Sequence, residues 1–548
     1  MIKCISFLWR RSPGAFATVM VANVLNGFSI IGLLALINIV LQGRPASREV
    51  LVWSFVGLCL LAPLSRCGSE LLLTRLAQDS LFDLQMHLAE KIAGAPLRYL
   101  EDLGIPRLLA VLTQDLQVLT GALVLVPVTC VYVTIIACGV IYLGWLSRMV
   151  LAAILGFILL SFVFYRLATS KAAKSLRLSR TATDGLYHHF RSLLKGAKEL
   201  KLHQRRRRTF FSQVLQSSAS SVRDHSVAGL AASIGAGAWV QMSGFVLIGT
   251  LLLAMPLLKL SMPDRIGYAV TLIFMVGPLQ VLLSRASDFN LAAVALQKIE
   301  DLERNLTALH PEVNSAMQHD PKREFRRLDL IDVTHAYRCD GEINDFIVGP
   351  VTLNLVPGEV VFLVGGNGSG KTTLAKLLVG LYVPADGKIC LNGQIITDSN
   401  RERYRQHFSV IFSDFHLFDR LLGLESPELD KDARKYLAQL ELDHVVEIKN
   451  GTLSTTKLSQ GQRKRLALLT AYMEDRPIYV FDEWAADQDP AFKKIFYHNF
   501  LPELKAKGKA VLVISHDERY YNIADRIIQL DFGRIIELPS LSSESVAT

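Results

Sequence analysis

Charge is scarce in this chain. Only 20% of its 548 residues are Asp, Glu, Lys or Arg, against 51% apolar, a balance better suited to a bilayer than to a soluble protein. Cysteine chemistry is also sparse. The seven cysteines (Cys4, Cys59, Cys67, Cys130, Cys138, Cys339 and Cys390) form no CxxC pair. No histidine cluster stands at metal spacing either, so free thiols and no structural metal are expected. There is no internal repeat and no low-complexity tract. A cleavable signal is also excluded, because the first apolar stretch is too long for a signal h-region and reads as a first membrane helix.

The formal charge of +9 does not imply nucleic acid. Much of the excess lies between apolar runs, at Lys171, Lys174, Arg177, Arg180, Arg191, Lys195, Lys198, Lys201 and Arg205 to Arg208. Basic loops kept on the cytoplasmic side explain it without a further partner. Stretches of about 20 apolar residues are long enough to span a bilayer. The candidates are 14–41, 49–68, 119–145, 149–166, 227–255 and 266–283. Charge asymmetry places both termini inside, with 69–118 and 167–226 on the cytoplasmic side. Both long segments stay amphipathic, so the membrane helices should run on past the bilayer. Within them, Leu97–Gly104 and Thr183–Phe190 are the stretches expected to touch the domain formed by the last third of the chain. Asn23 and Asn26 share one face of the first span and either line a cargo path or bond between helices. Arg66 and Glu70 are paired four residues apart at the end of the second.

The residues with recognisable site chemistry all come later. The apolar run Val360–Val364 leads into Gly365, Gly366, Asn367, Gly368, Ser369, Gly370, Lys371, Thr372 and Thr373, and a helical pattern follows. Glycines let backbone N–H groups approach phosphate oxygens, and the next helix points its positive end at the same charge. Lys371 should reach the β- and γ-phosphates, and the Thr372 hydroxyl should bind Mg²⁺. The buried-strand pattern Ile478–Phe481 ends in Asp482 and Glu483. Asp482 suits the Mg²⁺ shell, and Glu483 suits the general base for an attacking water.

Leu458, Ser459, Gln460, Gly461 and Gln462 open another helix. Here the chain resembles the ATP-binding cassette proteins, with Gln460 where Gly is commoner. The resemblance implies that Ser459 and Gly461 meet the γ-phosphate held by the other nucleotide domain of a pair. It also implies a switch histidine at His516, an aspartate at the dimer interface at Asp489, and adenine stacking by Tyr337. Ser413 departs from the pattern, since most of the family has Gln there to order Mg²⁺ and water and to sense the membrane half.

The resemblance covers essentially the whole chain. It implies a membrane all-α domain of six transmembrane helices (1–305), a linker (306–326, with Pro311, Asn314, Ser315 and Pro321) and an α/β P-loop ATP-binding cassette domain (327–548). Membrane helices before the cassette resemble the exporter type, whose cofactors are ATP and Mg²⁺ and whose composite sites need two nucleotide domains. A homodimer in the bacterial inner membrane, with the ATP-binding domain in the cytoplasm, supplies both, and a heterodimer with a related half is the alternative. The segment Asp482 to Pro490, the Ser413 region and the compact length are similar to bacterial exporters of cyclic peptides and peptide siderophores. The expected cargo is therefore a peptide-derived small molecule, with room for periplasmic or outer-membrane partners and none for nucleic acid. With no peptidase domain ahead of the first span, leader cleavage is not expected. A lipid or multidrug exporter, a siderophore importer and an ATP-gated sensor share the architecture.

Overall fold

The computed structural model describes residues 6, 8–9, 12–41, 47–146, 148–254, 262–308, 325–337, 346–424 and 428–537. It divides into two compact units. One comprises residues 1–89 and 106–302, the other residues 90–105 and 303–548.

Among the described residues, the membrane unit contains six helices long and apolar enough to cross a bilayer. They are α1 (Pro13–Leu41), α2 (Arg48–Ala93), α4 (Leu116–Leu146), α5 (Arg148–Lys195), α6 (Gln216–Ala254) and α7 (Met262–Ala308). The short helix α3 (Leu97–Leu103) lies between the second and third of these spans in sequence. Helix α2 has 46 residues, about 69 Å at the α-helical rise. That is more than twice a hydrocarbon core of about 30 Å. The spans therefore do continue beyond the bilayer, as their amphipathic extensions predicted. Apolar side chains such as Trp53, Trp145 and Phe245 are exposed, as expected where lipid covers a helix. The last helix runs through residues 306–308, and the rest of the expected linker, 309–324 with its prolines, lies outside the described residues.

Polar groups in the first span are buried. Asn26 Nδ2 donates to the Ala62 carbonyl at 2.6 Å, just before Pro63 interrupts the hydrogen-bond ladder of α2. Asn38 Nδ2 likewise donates to the Tyr142 hydroxyl at 3.1 Å. Asn26 thus bonds between helices. Asn23 is fully buried, and neither of its amide atoms has a partner. Cys59, Cys67, Cys130, Cys138 and Cys390 are free thiols, while Cys4 and Cys339 lie outside the described residues. Among the described residues, no three or more His, Cys, Asp or Glu side chains gather into a metal-binding group.

The ATP-binding unit is built on a mostly parallel sheet. Its strands are β3 (Val360–Val364), β6 (Phe408–Ile411), β9 (Ile478–Asp482), β10 (Ala510–Ile514), β11 (Arg526–Asp531) and β12 (Arg534–Glu537), in the order β12-β11-β3-β10-β9-β6. Only β12 runs antiparallel to its neighbour. The three central strands are buried on both faces, which is why they read as continuous apolar runs. Alternate residues supply two cores. Phe362, Phe481 and Val513 join one with α10 (Gln460–Glu474), and Leu363, Val480 and Leu512 join the other with α8 (Lys371–Leu378). The second core also takes residues from an antiparallel sheet of β1 (Leu328–Tyr337), β2 (Phe346–Leu355), β4 (Asp386–Leu391) and β5 (Gln394–Ile395). A small hairpin, β7 (Ile448–Lys449) with β8 (Thr452–Leu453), completes the strands.

Residues 90–105 pack with this unit. Leu97 lies against its second core. Arg98 donates to the Ala336 carbonyl at 3.1 Å and lies 3.4 Å from His335 Nε2. Glu101 pairs with Lys376 at 2.7 Å and accepts from the Tyr382 hydroxyl. Burial and the Arg98 charge hold the His335 imidazole below its ordinary pKa. The stretch Leu97–Gly104 thus meets the nucleotide domain, as expected. Thr183–Phe190 lies within α5.

Phe362 is fully buried and packs against Tyr497 and Tyr521. Phe362→Ala should destabilise the ATP-binding unit by about 3–5 kcal/mol. Calorimetry of the purified full chain should show its transition lowered, and an unshifted transition would contradict this account of the core.

Candidate nucleotide site

The phosphate loop begins where β3 ends. Gly365, Gly368 and Gly370 adopt φ of +149°, +77° and +100°, which glycine reaches at little cost. Two of them also leave no room for a side chain. A Cβ on Gly365 would stand 2.1 Å from the Leu530 carbonyl oxygen, and one on Gly370 2.7 Å from Val348. Within the loop, Ser369 N–H donates to the Gly366 carbonyl at 3.2 Å. The Ser369 hydroxyl is buried without a partner, and Asn367 lies in the turn. Lys371 Nζ folds back onto the Gly365 and Gly366 carbonyls at 2.9 and 2.8 Å. Burial lowers its pKa, while Glu483 and Asp482 act the other way. Thr373 turns into the core at the start of α8.

The strand end β9 supplies the carboxylates. Asp482 is buried, and its Oδ2 accepts from Thr372 Oγ1 at 3.0 Å. Its Oδ1 is buried with no partner. Burial pushes this carboxyl up, opposed by the Thr372 hydroxyl and the Ser413 backbone N–H. A hydroxyl and an unsatisfied carboxylate oxygen side by side are the hard oxygen donors that Mg²⁺ requires, so these residues fit that ion. Glu483 leaves the strand in the left-handed region at φ +50°. Its Oε1 lies 3.3 Å from His516 Nε2, both side chains being partly exposed. Ser413 sits just after β6, with its side chain exposed.

Ser459, Gly461 and Asp489 form a second cluster. Ser459 caps α10, accepting from Gln462 N–H at 3.3 Å while Gln462 Oε1 accepts from Ser459 N–H at 3.1 Å. This reciprocal cap stabilises the helix start. Gly461 is packed so closely that a Cβ there would lie 3.0 Å from the Asp487 carbonyl oxygen. Asp489 caps the next helix by accepting from Phe492 N–H at 2.9 Å. That bond and Arg465 hold its pKa down. Tyr337 closes β1, where it pairs with Phe346; its side chain lies outside the described residues.

Several connecting residues escaped sequence reasoning. Lys464, almost fully buried, donates to the Glu483 carbonyl at 2.8 Å and pairs with Asp487 at 2.7 Å. Trp484 Nε1 donates to the Lys464 carbonyl at 2.8 Å, and Gln488 Nε2 to the Gly461 carbonyl at 3.0 Å. These bonds tie the start of α10 to the strand end that carries Asp482 and Glu483. The only hint in the sequence is that Lys464 falls on the helix face that also carries Ala467, Leu468 and Ala471.

Residues 348–486 match the ABC transporter family, and residues 14–279 match the ABC transporter transmembrane region. ATP-binding protein SyrD of Pseudomonas syringae pv. syringae is 35% identical, covering 96% of this chain and 95% of its own. The chain belongs to the ABC exporters. The ATP-dependent lipid A-core flippase of Vibrio cholerae is 25% identical, over 89% of this chain and 85% of its own. The structure of a bacterial Atm1-family ABC exporter with ATP bound shares the fold, with a TM-score of 0.71 at 19% identity. It covers 97% of this chain and 95% of that one. This exporter is therefore a multi-pass membrane protein that hydrolyses ATP in a cytoplasmic domain and couples that hydrolysis to transport.

Gly365→Ala should cost the exporter more than about tenfold in ATP affinity, because both the φ and the Leu530 contact forbid a side chain. Lys464→Met should instead leave ATP affinity near wild type and lower kcat by about 100-fold through displacement of Glu483. Nucleotide titration and steady-state hydrolysis separate the two. A Lys464→Met enzyme with normal kcat would remove the positioning role.

Proposed function

We propose that this exporter moves a peptide-derived small molecule (a cyclic peptide, lipopeptide or peptide siderophore) across the bacterial inner membrane. The observation that carries this reading is the end-to-end similarity to SyrD at 35% identity, against 25% for the Vibrio lipid A-core flippase. The second comparison keeps lipid transport as the competing reading. One membrane half and one ATP-binding half per chain favour a homodimer, in which two copies complete each ATP site.

In this reading the phosphate loop and Lys371 bind the ATP phosphates, and Tyr337 stacks on adenine. Thr372 and Asp482 hold Mg²⁺, which supplies positive charge to the phosphate oxygens when bound. Glu483 accepts the proton of the attacking water, and His516 steadies its carboxylate and reaches toward the γ-phosphate. Ser459 and Gly461 complete the site of the partner copy, while Asp489 lies at the shared interface. Ser413 leaves its backbone N–H at Asp482, so its short side chain does not remove the polar contact there. ATP binding stabilises one state of the membrane half and hydrolysis restores the other, giving alternating access.

Glu483→Gln should keep ATP binding and nearly abolish turnover. Cells carrying it should hold back a peptide or siderophore that wild-type cells release, visible by mass spectrometry of cytoplasm, periplasm and medium. Altered outer-leaflet lipid with no retained peptide would transfer the assignment to lipid export.

A further inference from the structure

The His516 side chain is 43% exposed, so packing around its ring does little to aim it. Where the imidazole points is set by the backbone turn 515–517 that carries it. That turn is gripped from two sides. On one side, Glu483 N–H donates to the Ile514 carbonyl at 3.1 Å, which ties the end of β10 to the strand end bearing the carboxylates. On the other, the buried Ser515 hydroxyl accepts from Asp517 N–H at 3.1 Å and is hydrogen-bonded to the Tyr497 hydroxyl at 3.0 Å.

Tyr497 lies in a π-helical turn, Phe496–Phe500, between the helices Pro490–Ile495 and Leu501–Ala506. Such turns are uncommon and recur at functional sites. The ring is fully buried, stacked on Tyr520 at 4.0 Å and tilted against Phe362 at 6.1 Å. Burial pushes the hydroxyl up to about 12, so it keeps its proton at neutral pH. A buried phenol needs a polar partner, and the partner it has belongs to the residue before the histidine. Lys493, one helical turn earlier, lies 3.7 Å from Asp517, whose two oxygens accept from Arg519 at 2.7 Å each. The Asp517 charge is thus met by two cations, and Glu483 is the carboxylate that faces His516.

We infer that Tyr497, acting through Ser515, is a positioning residue for ATP hydrolysis, holding the turn so that the His516 imidazole meets Glu483. The inference rests on the role of His516 proposed above. A misplacement of about 1 Å at a reacting group can cost on the order of 100-fold in rate, so losing a buried bond beneath the turn should appear in kcat. The glycine loop and Lys371 belong to other elements, so ATP binding should not follow it.

The test is steady-state hydrolysis by the full-length exporter in phospholipid vesicles at varied ATP. Tyr497→Phe keeps both ring contacts and removes the hydroxyl alone. It should lower kcat about tenfold and leave the KM for ATP within about twofold. Ser515→Ala should match it, and Ser515→Thr, which keeps a hydroxyl, should restore most of the rate. The double variant Tyr497→Phe/Ser515→Ala should fall no further than the slower single variant, because both remove one bond. Thermal unfolding reports which variants are folded, and either folded single variant suffices. Wild-type kcat in a folded single variant, a KM that rises with the fall in kcat, or a double variant that multiplies the two losses overturns the inference. The reading beneath it fails separately. His516→Ala at wild-type kcat removes the role of the histidine, whereas an inactive His516→Ala beside a fully active Tyr497→Phe sinks only the positioning inference.

Discussion

The buried end of β9 is the constraint on which the ATP site depends. Asp482 cannot leave the core without dismantling a strand buried on both faces, so its carboxylate marks a fixed point. Thr372 reaches it from α8, and the Ser413 backbone reaches it from the loop after β6. Glu483, one residue later, is turned away by a left-handed backbone and brought to His516 from the end of β10. Three neighbouring strands and one helix thus converge on a carboxylate pair that none could position alone.

Lys464 carries the same constraint outward. A nearly buried ammonium is tolerated because a carbonyl and a carboxylate both meet it, and those partners belong to Glu483 and Asp487. The start of α10, with Ser459 and Gly461, therefore shares bonds with the strand end that carries Asp482 and Glu483. On the other side of the sheet, α8 links its phosphate-binding N-terminus to Lys376, which pairs with Glu101 of the segment Glu90–Ile105. That segment follows α2 in the chain and packs within the ATP-binding unit, against the helix that follows the glycine loop. A short Ser413 is easier to understand beside this second polar connection.

Sequence reading reached the long helices because about 20 uncharged apolar residues admit few other environments, and it reached the phosphate loop because glycines 365, 368 and 370 answer a backbone requirement. It found the strand-end carboxylates because an apolar run of four residues followed by two acids is informative after such a loop. Lys464, Trp484 and Gln488 stayed hidden. Their partners lie about 20 or more residues away in the chain, and no local spacing encodes a contact across a sheet edge. The polar stretch 309–324 and the Tyr337 side chain fall outside the described residues, so the structure neither adds to nor subtracts from what the sequence says of them.

By itself, then, the sequence determined element type and order: six spans, then a phosphate loop, a capped helix and an acidic strand end. Each of these rests on local periodicity or on a backbone geometry that few residues can adopt. Tertiary structure alone decided which side chains meet. It brought Lys464 under Glu483, Glu101 onto Lys376, and Tyr497 onto Ser515. Those pairings depend on distances between segments far apart in the chain, which packing sets and periodicity does not record.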